Sequence, residues 1–192
     1  KNIHGVLHKA LKQAVLIGYL RTNPTEACIL PRIIRKEMHP LEEDQVAVFL
    51  REVQGHPHEY LYKIALFTGL REGEVLGLGW EHIDFQAGTL TVKRQLRREQ
   101  KKGGEYYFSP PKNNKSRCLT LAPSVIQLFR LQKLEQNSMR MEAGDAWEEH
   151  DLIFTNQTGG YLSYRTVYDC FKRIVRNIGA PATRFHDLRH TF

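Results

Sequence analysis

Four side chains in this 192-residue sequence have types and spacing that could act together on an anion: Arg71, Lys112, His186 and Arg189. Arg71 stands in the middle of IALFTGLREGEVLGL, the most apolar stretch of the chain. An arginine there needs either an internal partner or a bound anion. Glu74, three residues on, shares its helical face and could hold the guanidinium in place. His186 and Arg189 are likewise three apart in FHDLRH, and His186 and His190 are four apart. That last spacing raises a metal site, but the HExxH form is absent, Arg189 would repel the ion and no carboxylate ligand is evident. Two arginines, a lysine and a histidine without a metal motif suit a phosphodiester, whose extra transition-state charge guanidinium forks can hold. The plainer alternative is a structural Arg71–Glu74 pair beside the core, with a core histidine and a surface arginine further on.

The elements that must position these groups follow from periodicity. Residues 1 to about 20 form an amphipathic helix with Ile3, Val6, Leu7, Ala10, Leu11, Ala14 and Val15 on one stripe. Pro24 ends that region, and residues 31–40, bracketed by Pro31 and Pro40, suggest a basic linker. Helices are expected over about 41–54 and 59–67. The Thr68-Gly69 break then places Arg71 at a helix start beside a tight turn. Thr89–Val92 is expected to be a strand, followed by a long cationic loop, a returning strand at Tyr106–Phe108 and a third strand at Arg117–Leu121. Pro123 opens a helix with apolar positions Val125, Ile126, Leu128, Phe129, Leu131 and Leu134. Glu142–Asp151 is expected to be a solvent loop and Leu152–Phe154 a short buried strand. Ser163 should cap a last helix that Gly179 stops.

The balance of +7 and a pI near 9.4 favour a polyanionic partner, nucleic acid before membrane. Three widely spaced cysteines give no disulfide framework and no zinc knuckle, and point to a reducing, cytoplasmic setting. No apolar run reaches the roughly 18 residues of a membrane span. The cations Lys93, Arg94, Arg97, Arg98, Lys101 and Lys102 fall within a few turns of each other. They form either a phosphate-facing hairpin or a solvated edge that resists aggregation. The chain opens on Lys1 and stops at Phe192 in mid-pattern, which reads as a fragment.

TGLREGEVLGLGWEHID around Arg71, the lysine in SPPKNNKSRCLTL and the segment FHDLRHTF together resemble the tyrosine recombinase (phage integrase) family, in order and in rough spacing. The resemblance implies a mainly α fold with a small antiparallel β-sheet (α+β). It places the end of a helical core-binding domain at 1–30, a basic linker at 31–40 and a catalytic domain at 41–192 that is incomplete at its C-terminus. It implies that Arg71 and Arg189 grip the scissile phosphate and that His186 serves as hydrogen-bond donor and general acid–base. Lys112 would protonate the leaving 5′ oxygen, with Lys115 as a competitor for that role, and Glu74 would support Arg71. Lys93, Arg94, Lys115 and Arg117 become candidate contacts to the DNA backbone. The implied activity is site-specific recombination of a mobile element through a 3′-phosphotyrosine, with no metal and no cofactor. The implied partners are double-stranded DNA, a homotetramer on that DNA, and a DNA-bending or excision protein as a candidate accessory, with no membrane. The nucleophilic tyrosine and a second histidine or tryptophan are expected beyond Phe192; Tyr161, Tyr164 and Tyr168 precede the motif and do not match. The 192 residues alone are therefore not expected to complete the reaction. The alternative is a DNA-binding regulator that retains the fold without the chemistry.

Overall fold

The computed structural model describes residues 2–31, 38–101, 103–111 and 114–191, in two compact units divided between Glu37 and Met38. In the first unit, helix α1 (Asn2–Leu16) is followed by a short 3-10 turn at Pro24–Ala27. His8 and Asn23 tie the two together: the Asn23 amide donates to the His8 carbonyl at 3.1 Å, and His4 reaches the Thr25 carbonyl at 3.1 Å. Ile3, Val6 and Leu7 of the apolar stripe are exposed within this unit.

The second unit starts with α2 (Glu43–Glu52), α3 (Glu59–Thr68) and the short α4 (Glu72–Leu76). Gln45 caps α2 by accepting the Glu42 N–H at 3.1 Å. Gly69 ends α3 in the left-handed region, φ 60°, where a side chain would be strained. Three strands, β1 (Ile83–Asp84), β2 (Thr89–Val92) and β5 (Arg117–Thr120), form an antiparallel sheet in the order β1-β2-β5. Strands β3 (Gln95–Arg98) and β4 (Tyr106–Ser109) form a separate two-stranded hairpin, with Leu96 opposite Phe108. The cationic stretch is thus partly a strand rather than one long loop, and β2 pairs with β5 instead of with the 106–109 segment. Leu96 is the reason: it is fully buried while Arg97 and Arg98 beside it stay exposed.

Helix α5 (Pro123–Ala143) continues two residues into the region expected as a loop. Its buried side includes Gln132 and Gln136, whereas Leu134, expected inside, is 64% exposed. Those amides replace a strand ladder. Leu152–Phe154 is buried, but it is no strand, because the chain bends at Ile153 and Phe154. The Gln132 amide donates to the Ile153 carbonyl at 3.1 Å, and that of Gln136 to the Leu152 carbonyl at 2.7 Å. Gln136 also accepts from Trp80 Nε1 at 2.8 Å. Helix α6 (Tyr164–Asn177) begins after Ser163, whose hydroxyl makes no cap bond, and Gly179 follows it at φ 77°.

An aromatic cluster of Phe49, Tyr62, Phe171 and Phe185 joins α2, α3, α6 and the segment that follows α6. Phe171 and Phe185 centroids lie 5.4 Å apart, Tyr62 and Phe171 6.0 Å. Tyr62 also donates its hydroxyl to the Val167 carbonyl at 2.8 Å. No helix among the described residues is long and apolar enough to cross a membrane.

Gln136→Leu should therefore destabilise the second unit by about 2–4 kcal/mol, because it strands the Trp80 N–H and the Leu152 carbonyl together. Urea unfolding monitored by tryptophan fluorescence measures this, and Leu134→Gln on the same helix should change stability by less than about 0.5 kcal/mol.

Candidate functional site: an arginine–histidine anion cradle

Arg71 occupies the position just before α4, so its own backbone needs a cap. Glu74 provides it by accepting the Arg71 N–H at 2.9 Å, and it also accepts from Arg71 Nη1 at 3.0 Å. Arg117, the first residue of β5, closes the same carboxylate from the other side, with Nη1 to Oε1 at 2.8 Å and Nη2 to Oε2 at 2.7 Å. Glu74 is only 1% exposed, against 38% for the Arg71 side chain and 30% for that of Arg117. Burial alone would push the Glu74 carboxyl up. The Arg117 fork, the Arg71 N–H and the Arg71 guanidinium outweigh it and hold the carboxyl at about 2.

The second half of the site is a 3-10 helix, Phe185–His190, where an α-helix was expected. Its tightness comes from three-residue bonds such as Asp187 N–H to the Arg184 carbonyl at 2.8 Å. Residues three apart eclipse one another in that geometry, so His186 and Arg189 share a face all the same. Buried Asp187 anchors the turn by accepting the Arg184 N–H at 3.0 Å and a two-point guanidinium contact at 2.9 and 2.6 Å. Lys172 on α6 fixes the approach by donating to the Pro181 and Thr183 carbonyls. Thr191 Oγ1 accepts the Leu41 N–H at 3.2 Å.

The two halves meet at the turn before Arg71. A Cβ on Gly69 would lie 3.4 Å from Arg189 Cγ, so the glycine turn packs directly on Arg189. His186 is held below the ordinary imidazole range by burial first, then by the charges of His190, Arg71 and Arg189. The shift favours the neutral ring, in which one nitrogen donates and the other accepts. Arg189 Nη1 is buried without a hydrogen-bond partner among the described residues. Arg71, His186 and Arg189 thus converge with positive charge in excess, and an oxyanion is what such donors lack.

Of the other cations, Lys93 and Lys115 are exposed. Arg94 donates Nε to the Gly77 carbonyl at 2.9 Å, pairs with Glu81 at 3.3 Å and lies over the Phe108 ring. Arg117, expected to face a DNA backbone, has both terminal nitrogens on Glu74. No local signal pairs these two, since 43 residues separate them. Lys112 lies outside the described residues. Among the described residues no group of three or more His, Cys, Asp or Glu side chains could hold a metal ion. A groove of about 1080 Å³ between His56–Leu61, α5 and residues 154–162 is lined by none of Arg71, His186 and Arg189.

Glu72, next to Arg71, has a different fate. Its Oε1 is buried with no hydrogen-bond partner among the described residues, and burial pushes its carboxyl up to about 7. The native state then binds a proton that the unfolded chain, with an ordinary value of 4.5, releases. Stability from this group is complete below about pH 4.5 and is lost as pH rises through about 7. Glu72→Gln should accordingly leave the melting temperature at pH 4.5 nearly unchanged and raise stability at pH 8 by about 1–3 kcal/mol. Equal effects at both pH values would show that the carboxyl titrates alike in the folded and the unfolded chain.

Residues 39–192 match the model of the phage integrase family. A tyrosine recombinase XerC-like protein of Caldanaerobacter subterraneus subsp. tengcongensis is 27% identical over 208 residues, covering 100% of this chain and 53% of its own. An integrase of Streptomyces ambofaciens is 27% identical, covering 99% and 50%. The chain spans about half the length of the curated relatives it matches. Among solved structures, the Tn1549 transposon integrase in complex with a circular intermediate DNA shares the fold with a TM-score of 0.80 at 24% identity, covering 100% of this chain and 64% of that one. A lambda integrase dimer bound to a core site gives 0.60 at 20% identity, covering 100% and 49%. With four-fifths of its length inside the family match and the site arginines held on the matching fold, the chain belongs to the phage integrase family of tyrosine recombinases.

Proposed function

We propose that the protein to which this chain belongs is the integrase of a phage or conjugative element, recombining DNA at specific sites. The observation that carries this is the convergence of Arg71, His186 and Arg189 on one face, with a buried Arg189 nitrogen that has no hydrogen-bond partner among the described residues. A scissile phosphate supplies the oxygens these donors need. Arg71 and Arg189 each bind nonbridging oxygens, and His186 donates a third hydrogen bond and relays the proton of the nucleophile. The nucleophile is a tyrosine assigned to the residues after Phe192. Its oxygen attacks phosphorus, the bond to the 5′ oxygen breaks, and Lys112 delivers the proton that makes the leaving group a hydroxyl. The product is a 3′-phosphotyrosine, which a 5′ hydroxyl from the partner duplex resolves by the reverse step. Both arginines stabilise the charge that peaks at the five-coordinate phosphorus, so the chemistry needs no metal. Exchange of strands between two duplexes requires four such subunits.

Two measurements test this on the full-length protein and DNA from the ends of the element that carries its gene. Binding should weaken with salt, with log K against log salt near −5 for about six phosphates engaged; a slope near zero counts against DNA as the partner. Arg71→Lys should keep the fold and the DNA affinity but lose about 10²–10³ in cleavage rate, since a lysine cannot present a guanidinium fork. An Arg71→Lys protein that binds DNA and cleaves at the parental rate assigns Arg71 to the scaffold alone. A parental protein that binds this DNA tightly and forms no covalent adduct indicates a regulator on the same fold.

A further inference from the structure

The Glu74 carboxylate has about four hydrogen-bonding positions, and all four are filled. Arg71 supplies one backbone and one side-chain donor; Arg117 supplies two side-chain donors at the shorter distances of 2.8 and 2.7 Å. A carboxylate and a guanidinium prefer a two-point contact. Without Arg117, Glu74 would be free to take a second Arg71 nitrogen, and the Arg71 fork would turn inward on its own helix cap. From this competition we infer that Arg117 is a positioning residue: it saturates Glu74, limits Arg71 to one side-chain bond there, and leaves the other guanidinium N–H groups to face an anion. The inference rests on the proposed phosphate-gripping role of Arg71.

The charge balance points the same way. One buried carboxylate against one arginine is neutral and attracts no anion. With Arg117 the group carries two cations and one anion, a net charge of +1 next to His186 and Arg189. The arrangement also links two distant parts of the chain. Arg117 opens β5, and Glu74 lies on α4. The register of β5 against β2, with Arg117 opposite Val92, sets where that fork can stand.

The test is a double-mutant cycle in the full-length protein, using Arg117→Gln, Arg117→Lys, Arg71→Lys and the combination of Arg117→Gln with Arg71→Lys. Single-turnover cleavage of element-end DNA, DNA affinity, salt slope and melting temperature are read on each. Arg117→Gln should slow cleavage roughly ten- to hundredfold, the scale of a misplaced reacting group, with DNA affinity and salt slope unchanged. Arg117→Lys keeps a cation beside Glu74 and so keeps the fold; it should still lose cleavage, because one ammonium cannot fill both carboxylate oxygens. In the Arg71→Lys background the Arg117→Gln change should add less than about twofold, since its effect passes through Arg71.

Several outcomes overturn the inference. Parental cleavage by both Arg117 variants does so, as does multiplication of the two effects in the double variant. So does a loss that merely follows the folded fraction on the melting curve. A salt slope lower by about one with weakened binding would place Arg117 on a DNA phosphate instead. A parental protein that cleaves nothing defeats the recombinase reading first, and so separates the two failures.

Discussion

A charged carboxylate with 1% of its side chain exposed is the constraint around which the rest of this structure is arranged. Glu74 could not remain ionised in that position without cations, and removing one partner of a buried ion pair typically costs about 3–5 kcal/mol. Its four hydrogen bonds bring together the N-terminus of α4, the Arg71 side chain and the start of β5. One residue thereby decides where the turn after α3 points and how far the three-stranded sheet sits from it.

The same device recurs in the turn that carries Arg189. Asp187, fully buried, caps the turn at Arg184 through its backbone N–H and grips the Arg184 guanidinium from three residues away. In both places an acid three residues downstream of an arginine closes the first turn and removes backbone freedom next to the chemistry. The roles of the arginines differ. Arg71 is itself proposed to bind the phosphate, whereas Arg184 only anchors the turn that presents His186 and Arg189. Phe185 and Leu188 bury the opposite side of that turn, so the aromatic cluster with Tyr62 and Phe171 fixes its depth against α3. On the proposed function, preorganisation of this kind means the arginines need not be gathered when a phosphate arrives.

The net charge of the chain overstates what is available to a partner. Arg94 and Arg117 spend their guanidinium groups on Gly77, Glu81 and Glu74, and Arg98 donates to the Gly104 carbonyl while lying over Tyr106. These cations hold the hairpin and the sheet in place. Lys93 and Lys115 are exposed, and Lys101, also exposed, pairs with Glu99 at 2.8 Å. Where positive charge is structural and where it is free is a property of the pairing, not of the composition.

What the sequence by itself determined was local. The Thr68-Gly69 break put Arg71 at a helix start, and the three-residue spacings placed Glu74 beside Arg71 and His186 beside Arg189, because such contacts lie within one turn. The same spacing survived the change from an α-helix to a 3-10 helix at Phe185–His190, since both geometries keep the third residue on the same face. Periodicity misjudged α5, where Gln132 and Gln136 are inside and Leu134 is outside. Their amides satisfy carbonyls of a segment some 16 to 21 residues later, which no apolar pattern encodes. It also took β3 for part of a loop, although it expected β4, because one buried Leu96 among cations shows no alternation. Only the tertiary structure decided that Arg117 shares Glu74 with Arg71 and that Gly69 packs on Arg189. Those contacts span 43 and 120 residues, and they depend on strand register and on how the helices meet, neither of which is written in any single stretch of chain.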